Sequence, residues 1–310
     1  MICVIRMQKI LVTGSNGLLG QKLTDLYLNN PEINLIATAR GANRHIISEG
    51  YTYAEMDITN KAEVETVITK HQPDVIIHGA AMTNVDACEL DPESCELLNV
   101  TATQYITEAA NQVNAHMVLV STDFIFDGEN GPYKEDALAK PLSIYGHSKL
   151  KAEKIVQEQA SSWAIARTVL VYGLVADMSR SNIVLWARES LANKKKINVV
   201  DDQFRSPTLA EDLAIGCALI AEKKATGIFN ISGKDQMNIY QLVQRVANYF
   251  GLSMEHVTRI DSLSLNQPAK RPPITGFDLT KSREILGYDP RSFDEGIAII
   301  YNQFLKAQTP

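Results

Sequence analysis

The sequence predicts an α/β chain built on a doubly wound parallel sheet, and three observations carry that reading. Short, nearly continuous apolar runs alternate with longer stretches of helical period. Those runs lack the in–out alternation of a sheet with one wet face, so they suit strands buried on both faces. A glycine-rich turn follows the first run and opens the first helical stretch. The chain has 310 residues, ample material for a large core.

In order, KILVT (9–13) is the first strand and 18–29 the first helix. NLIATA (34–39) is the second strand, and a third ends at MDIT (56–59). DVIIHGAA (74–81), HMVLVST (116–122) and WAIARTVLV (163–171) are the fourth to sixth. The stretches 61–70, 92–114 and 145–160 between them repeat apolar residues at helical spacing. Beyond 170 the rhythm loosens. Helices are expected over 182–191, 208–221 and 239–250, with strands at 197–200 and 227–232. The proline-rich stretch 264–276 reads as irregular, before helices at 279–286 and 293–307.

Bulk properties narrow the function. A net charge of −6 argues against general attraction to nucleic acid or an anionic membrane. No apolar run approaches the ~20 residues of a membrane span. The opening MICVIRMQ shows no small-residue cleavage site, and Met7 is an alternative start. Cys3, Cys88, Cys95 and Cys217 form no CxxC and no metal-ligand spacing with histidine, so reduced thiols, no metal and a cytoplasmic location are expected.

The chemistry begins at TGSNGLLG. Gly14, Gly17 and Gly20 sit between strand and helix, where missing side chains let backbone approach a pyrophosphate at a helix N-terminus. The second strand ends in Ala39-Arg40, with no acid for a ribose 2′-hydroxyl. A guanidinium suits a 2′-phosphate, so NADP(H) is preferred to NAD(H). Asp57 follows the third strand, placed either to meet the adenine amino group or to cap the next helix. Tyr145 and Lys149 are spaced i, i+4 in YGHSK and share a helix face. A cation there would hold the phenol's pKa down. Thr122 ends the fifth strand, at the sheet edge where ligands bind. It is expected to donate to a carbonyl oxygen while Tyr145 supplies the proton. His78, Tyr133 and Lys134 are open between structural and ligand roles, and Asp86 and Glu89 read as surface or helix-start residues.

TGSNGLLG, HGAA, STD and YGHSK, in this order and at these separations, resemble the extended short-chain dehydrogenase/reductase superfamily across nearly the whole chain. STDFIFDG, NVTAT (99–103), DDQFRSP (201–207) and RPPITGFDLTKSREILG (271–287) are similar to the dTDP-4-dehydrorhamnose reductase family. The resemblance implies a Rossmann-type fold and NAD(P)H-dependent reduction of a 4-keto nucleotide sugar. It implies catalytic roles for Thr122, Tyr145 and Lys149. A cofactor site would comprise Gly14, Asn16, Gly17, Leu18, Gly20, Arg40, Asp57, Ile58, Ala80 and Ala81 with Tyr145 and Lys149. Substrate contacts would fall to Thr83, Asp123, Asn182, Arg205 and Arg271. Residues 1–170 would be the dinucleotide-binding domain, rejoined by 207–232, and 171–310 mainly the substrate-binding region. A homodimer is left open, as is a divalent ion at an interface.

Three departures fall on the sugar side. Leu170 replaces a tryptophan, Arg205 a glycine and Ile274 an asparagine of the family pattern. Two alternatives follow. One is a nucleotide-sugar epimerase or dehydratase, although dehydratases carry glutamate where Phe124 stands, and phenylalanine moves no proton. The other is a non-catalytic cofactor-binding subunit, since the regulatory subunit of methionine adenosyltransferase resembles the same family.

Overall fold

The computed structural model describes residues 7–308 except 29 and 176–181; Cys3 and Asn29, the expected end of the first helix, lie outside the described residues. The chain opens with β1 (Gln8–Thr13), α1 (Leu18–Leu28), β2 (Ile33–Ala39), β3 (Thr52–Glu55), α2 (Lys61–His71) and β4 (Val75–His78). Then come α3 (Val85–Leu90), α4 (Pro92–Glu96), α5 (Ala102–Gln112), β5 (His116–Thr122), α6 (Ile144–Gln159) and β6 (Trp163–Thr168). The chain next leaves the sheet through β7 (Val171–Tyr172), α7 (Ile183–Ala192), β8 (Ile197–Val200), β9 (Phe204–Arg205) and β10 (Thr208–Leu209). After α8 (Ala210–Lys223) it returns as β11 (Gly227–Asn230), and ends with β12 (Met237–Asn238), α9 (Ile239–Phe250), β13 (Val257–Ile260) and α10 (Phe293–Gln308).

The main sheet runs β3-β2-β1-β4-β5-β6-β11, with every neighbouring pair parallel. Consecutive residues of one strand serve two cores, which explains the unbroken apolar runs. Ile10 and Val12 pack with Leu23, Ile77 and Phe229, whereas Leu11 packs with Ile68, Ile106 and Val156 on the other side. A third core joins α7, α9 and α10 through Val184, Leu191, Leu242, Val246 and Ile297. Around it lie three two-stranded pairs, β7 with β10, β9 with β12 and β8 with β13.

Local geometry departs from the sequence expectation in several places. The run 163–171 is not one strand: it breaks between β6 and β7, where Leu170 takes φ +39°, a region branched side chains rarely enter. The helix expected over 92–114 is split by a π-helical turn at Leu97–Thr101. The one expected over 208–221 starts only at Ala210, after the two residues of β10. A π-helical turn also closes 279–286, at Ser282–Leu286.

Candidate functional site

A cleft of about 770 Å³ opens at the carboxyl ends of β1, β4 and β5. Its floor is made by the glycine turn. Gly14 has φ +74°, and a Cβ there would lie 3.0 Å from the backbone of Ala80. At Gly20 a Cβ would sit 2.4 Å from Gly14 O and Ser15 Cα, so only hydrogen fits. Gly17 N donates to Gly14 O at 2.8 Å and closes the turn. Thr13 Oγ1 accepts from Ala80 N at 3.2 Å and pairs with His78 Nδ1 at 2.8 Å, while His78 Nε2 meets Thr103 Oγ1 at 3.2 Å. Burial drives the His78 imidazole down to about 3, with Lys149 adding to the fall. It is a neutral structural histidine that ties β4 to β1.

Asn16, Leu18, Ile58, Ala80 and Ala81 also line the cleft. Asn16 is spent on architecture: its side chain donates to Ala42 O at 2.9 Å and accepts from Arg44 N at 2.9 Å, fixing the loop after β2. Arg40 stands at the rim with 79 % of its side chain exposed, 3.9 Å from Asp57. Arg44 lines the same rim, a second cation the sequence reading did not single out. Asp57 caps no helix: Asn60 caps α2, and Asp57 Oδ1 accepts from both the N–H and the hydroxyl of Thr59.

Thr122, Tyr145 and Lys149 converge on the wall beside this floor. The start of α6 is fixed twice, by Ser143 accepting from Gly146 N and by Glu89 accepting from Ile144 N. Tyr145, only 7 % exposed, packs edge-on against Phe124 with ring centres 5.6 Å apart. Lys149 Nζ donates to Val120 O at 2.8 Å. Burial lowers its ammonium to about 8, and Glu153 works the other way. Glu153 is itself fully buried in a two-pronged pair with Arg167, at 3.0 and 2.7 Å.

One expectation is corrected here. The phenol is not held down: burial pushes Tyr145 above the ordinary tyrosine range, a hydrogen bond with Thr122 opposes this, and Asp123 adds to the rise. The Thr122 hydroxyl also lies within hydrogen-bond reach of Asp123 Oδ1, at 3.1 Å.

The residues expected to contact a sugar are bound up in internal contacts. Asn182 lines the cleft, yet its side chain caps α7 through Val184 N and Leu185 N and donates to Gly173 O at 2.6 Å. Arg271 reaches the cleft while paired with Asp86 at 2.7 and 3.1 Å, which gives Asp86 more than a surface role. Thr83 is exposed at the mouth. Arg205 does not line the cleft; it is buried, with its guanidinium on backbone carbonyls. Tyr133 turns inward, stacked on Phe126 at 4.1 Å, and its hydroxyl donates to Asp127. Asn99 had no assigned role: held by the π-helical turn, it clasps Met82 O and donates to Ser148 Oγ at 3.0 Å behind Tyr145.

This cleft fits a dinucleotide. The glycine cradle admits backbone contact, the rim is cationic, and Ser121 Oγ is buried in the wall without a partner among the described residues. Among the described residues, no group of three or more His, Cys, Asp or Glu side chains is placed to hold a metal ion. Among the same residues, no helix is long and apolar enough to cross a membrane.

The family model "RmlD substrate binding domain" matches residues 7–306. A dTDP-4-dehydrorhamnose reductase from Aggregatibacter actinomycetemcomitans is 31% identical over 303 residues, covering 94% of this chain and 97% of that one. The methionine adenosyltransferase 2 subunit beta of Xenopus laevis is 31% identical over 263 residues, covering 82% and 75%. The crystal structure of a dTDP-4-dehydrorhamnose reductase from Clostridium acetobutylicum superposes with a TM-score of 0.83 at 27% identity, covering 96% of this chain and 100% of that one.

Proposed function

The chain belongs to the RmlD substrate binding domain family, and from that premise we propose that it is an NADPH-dependent reductase of a 4-keto nucleotide sugar. The observation that carries the proposal is the convergence of Thr122, Tyr145 and Lys149 on one wall, beside a glycine turn that admits nothing larger than hydrogen at Gly20. Gly14, Gly17 and Gly20 would cradle the pyrophosphate, and Arg40 with Arg44 would face the 2′-phosphate. When bound, the reduced nicotinamide supplies the hydride.

The protein's own part is to orient and to protonate. Tyr145, kept protonated near neutrality by its burial, donates to the oxygen that becomes the alcohol. Lys149 titrates at about 8 and lies one turn away on the same helix face, so it can carry or release a proton in the working range. Phe124 and Leu170 form apolar cleft wall and keep water from the carbonyl.

Tyr145→Phe is expected to cut turnover by about 100-fold or more while leaving NADPH affinity nearly unchanged. NADPH oxidation against a panel of 4-keto nucleotide sugars, dTDP-4-dehydrorhamnose first, reads it. Surviving activity would remove Tyr145 as the donor. A second reading, a cofactor-binding subunit without turnover, is favoured by the internal commitments of Asn182 and Arg271 and by the likeness to the methionine adenosyltransferase subunit. Tight NADPH binding with no oxidation by any sugar of the panel would select it.

A further inference from the structure

Asn16 ties together two parts of the cleft that come from different places in the chain. It stands in the glycine turn, yet both ends of its amide are committed to the loop after β2. Its Nδ2 donates to Ala42 O at 2.9 Å, and its Oδ1 accepts from Arg44 N at 2.9 Å. One side chain thus grips the loop at two points, 26 and 28 positions further on.

The same loop is braced from its other sides. From β3, Glu55 Oε1 accepts from Gly41 N at 3.0 Å, and the Tyr53 hydroxyl donates to Gly41 O. Asn43 donates to the Tyr51 hydroxyl at 2.7 Å and accepts from His45 N at 3.1 Å. Buried His45 in turn meets Asp25 of α1 through Nε2 at 3.0 Å. Arg44 therefore has a held backbone and an exposed side chain at the cleft rim. Arg40 lies 3.9 Å from the Asp57 carboxylate, whereas Arg44 forms no ion pair among the described residues. A backbone fixed in advance spares an anion-gripping loop the ordering cost of binding.

We infer that Asn16 is a positioning residue for cofactor selection: it ties the loop to the pyrophosphate turn and so sets where Arg44 meets a 2′-phosphate. In a dinucleotide the pyrophosphate and the 2′-phosphate are joined through one ribose, so their separation is confined to a narrow range. A clamp between the two protein segments is a gauge for that separation. It favours the phosphorylated cofactor without adding a charge of its own. The inference rests on the reading of Arg44 as facing the 2′-phosphate; the clamp itself stands on its hydrogen bonds.

The test reads affinities, so it needs neither a sugar nor turnover. Fluorescence titration of the full-length chain gives the ratio of NADPH to NADH affinity, and these two ligands differ only by the 2′-phosphate. Asn16→Ala is expected to lower that ratio about tenfold, and Arg44→Ala to lower it by as much or more. Because Asn16 acts through Arg44, the double variant is expected to lie within about twofold of Arg44→Ala. Equal weakening of both cofactors by Asn16→Ala leaves the ratio in place and overturns the inference; a fully additive fall in the double variant does the same. Should Asn16→Ala not fold, amide hydrogen exchange in the cofactor-free parent decides. Protection of the Arg44 N–H supports a preset loop, and exchange at the rate of an unstructured chain overturns it. A parent without preference for NADPH would sink the 2′-phosphate reading and the inference with it. A parent that prefers NADPH, with an unmoved ratio in Asn16→Ala, sinks the inference alone.

Discussion

The two sides of the cleft are built from different materials. On the cofactor side, backbone shape does the building: Gly14 turns at φ +74° against Ala80, and Gly20 packs its Cα onto the turn. On the opposite side, side chains do it: Arg271 grips Asp86 from 185 residues away, and Thr275 grips Asp123 from 152. A backbone site is intolerant of almost any added atom but indifferent to distant residues. A side-chain site tolerates exchange at each position yet depends on partners far along the chain. The lesson is that the first is conserved in shape by sterics, whereas the second is free to be re-paired for a new ligand.

The sharpest way to break the contrast is Gly20→Val. Its added carbons would collide with the backbone of Gly14 and Ser15, so a loss of about 3 kcal/mol in urea denaturation is expected, together with loss of NADPH binding. A variant that folds and binds normally would mean that the cradle is softer than its geometry.

Lys149→Met comes next, and its sign depends on pH. The Lys149 ammonium is lowered from 10.5 to about 8 by burial. Between those values the unfolded chain binds more protons than the folded one, so stability rises with pH across that window. Near pH 7 the folded chain bears the whole cost of the buried charge. The methionine variant should therefore be more stable there by on the order of 3 kcal/mol, with the gain nearly gone by about pH 11. Denaturation at the two pH values checks this; destabilisation near pH 7 would show that the Val120 carbonyl and Glu153 outweigh the burial.

Smaller effects sharpen the rim and the mouth. Arg40→Asp should move the ratio of NADPH to NADH affinity by about tenfold towards NADH, read by fluorescence titration, and no shift would take Arg40 off the 2′-phosphate. The Asp86–Arg271 pair is partly exposed, so Asp86→Asn should cost under about 1 kcal/mol. The same change frees Arg271, and dTDP affinity should rise about two- to fivefold; an unchanged affinity would take Arg271 out of the substrate contacts.

What could be read in advance follows the same division. The glycine spacing, the strand–helix alternation and the Tyr145–Lys149 pair are local patterns, each fixed by neighbours within a few residues. The break at Leu170 was hidden, because nothing in RTVLVYG announces a left-handed leucine. The π-helical turn that holds Asn99 has no periodic signature either. Arg205 was placed among substrate contacts from its position in the DDQFRSP motif and its charge, and only the packing of β9 against Pro272 and Pro273 shows it folded away. Thr122 was given the right neighbourhood, while its contact with the next residue, Asp123, has no signature in the sequence. Tyr133 looked available in a loop, but aromatic stacking drew it into the core.

The buried Glu153–Arg167 pair has a bearing on how the site keeps its aim. Residues 145, 149 and 153 mark successive turns of α6, so the fork at Glu153 pins the helix to β6 two turns behind the phenol. A rotation of α6 by one residue would swing Tyr145 through about 100° and pull both prongs off Arg167 at once. The pair thus indexes the helix, as a key sets the angle of a shaft, and the mouth of the cleft is left free to drift in sequence without turning the phenol off its mark.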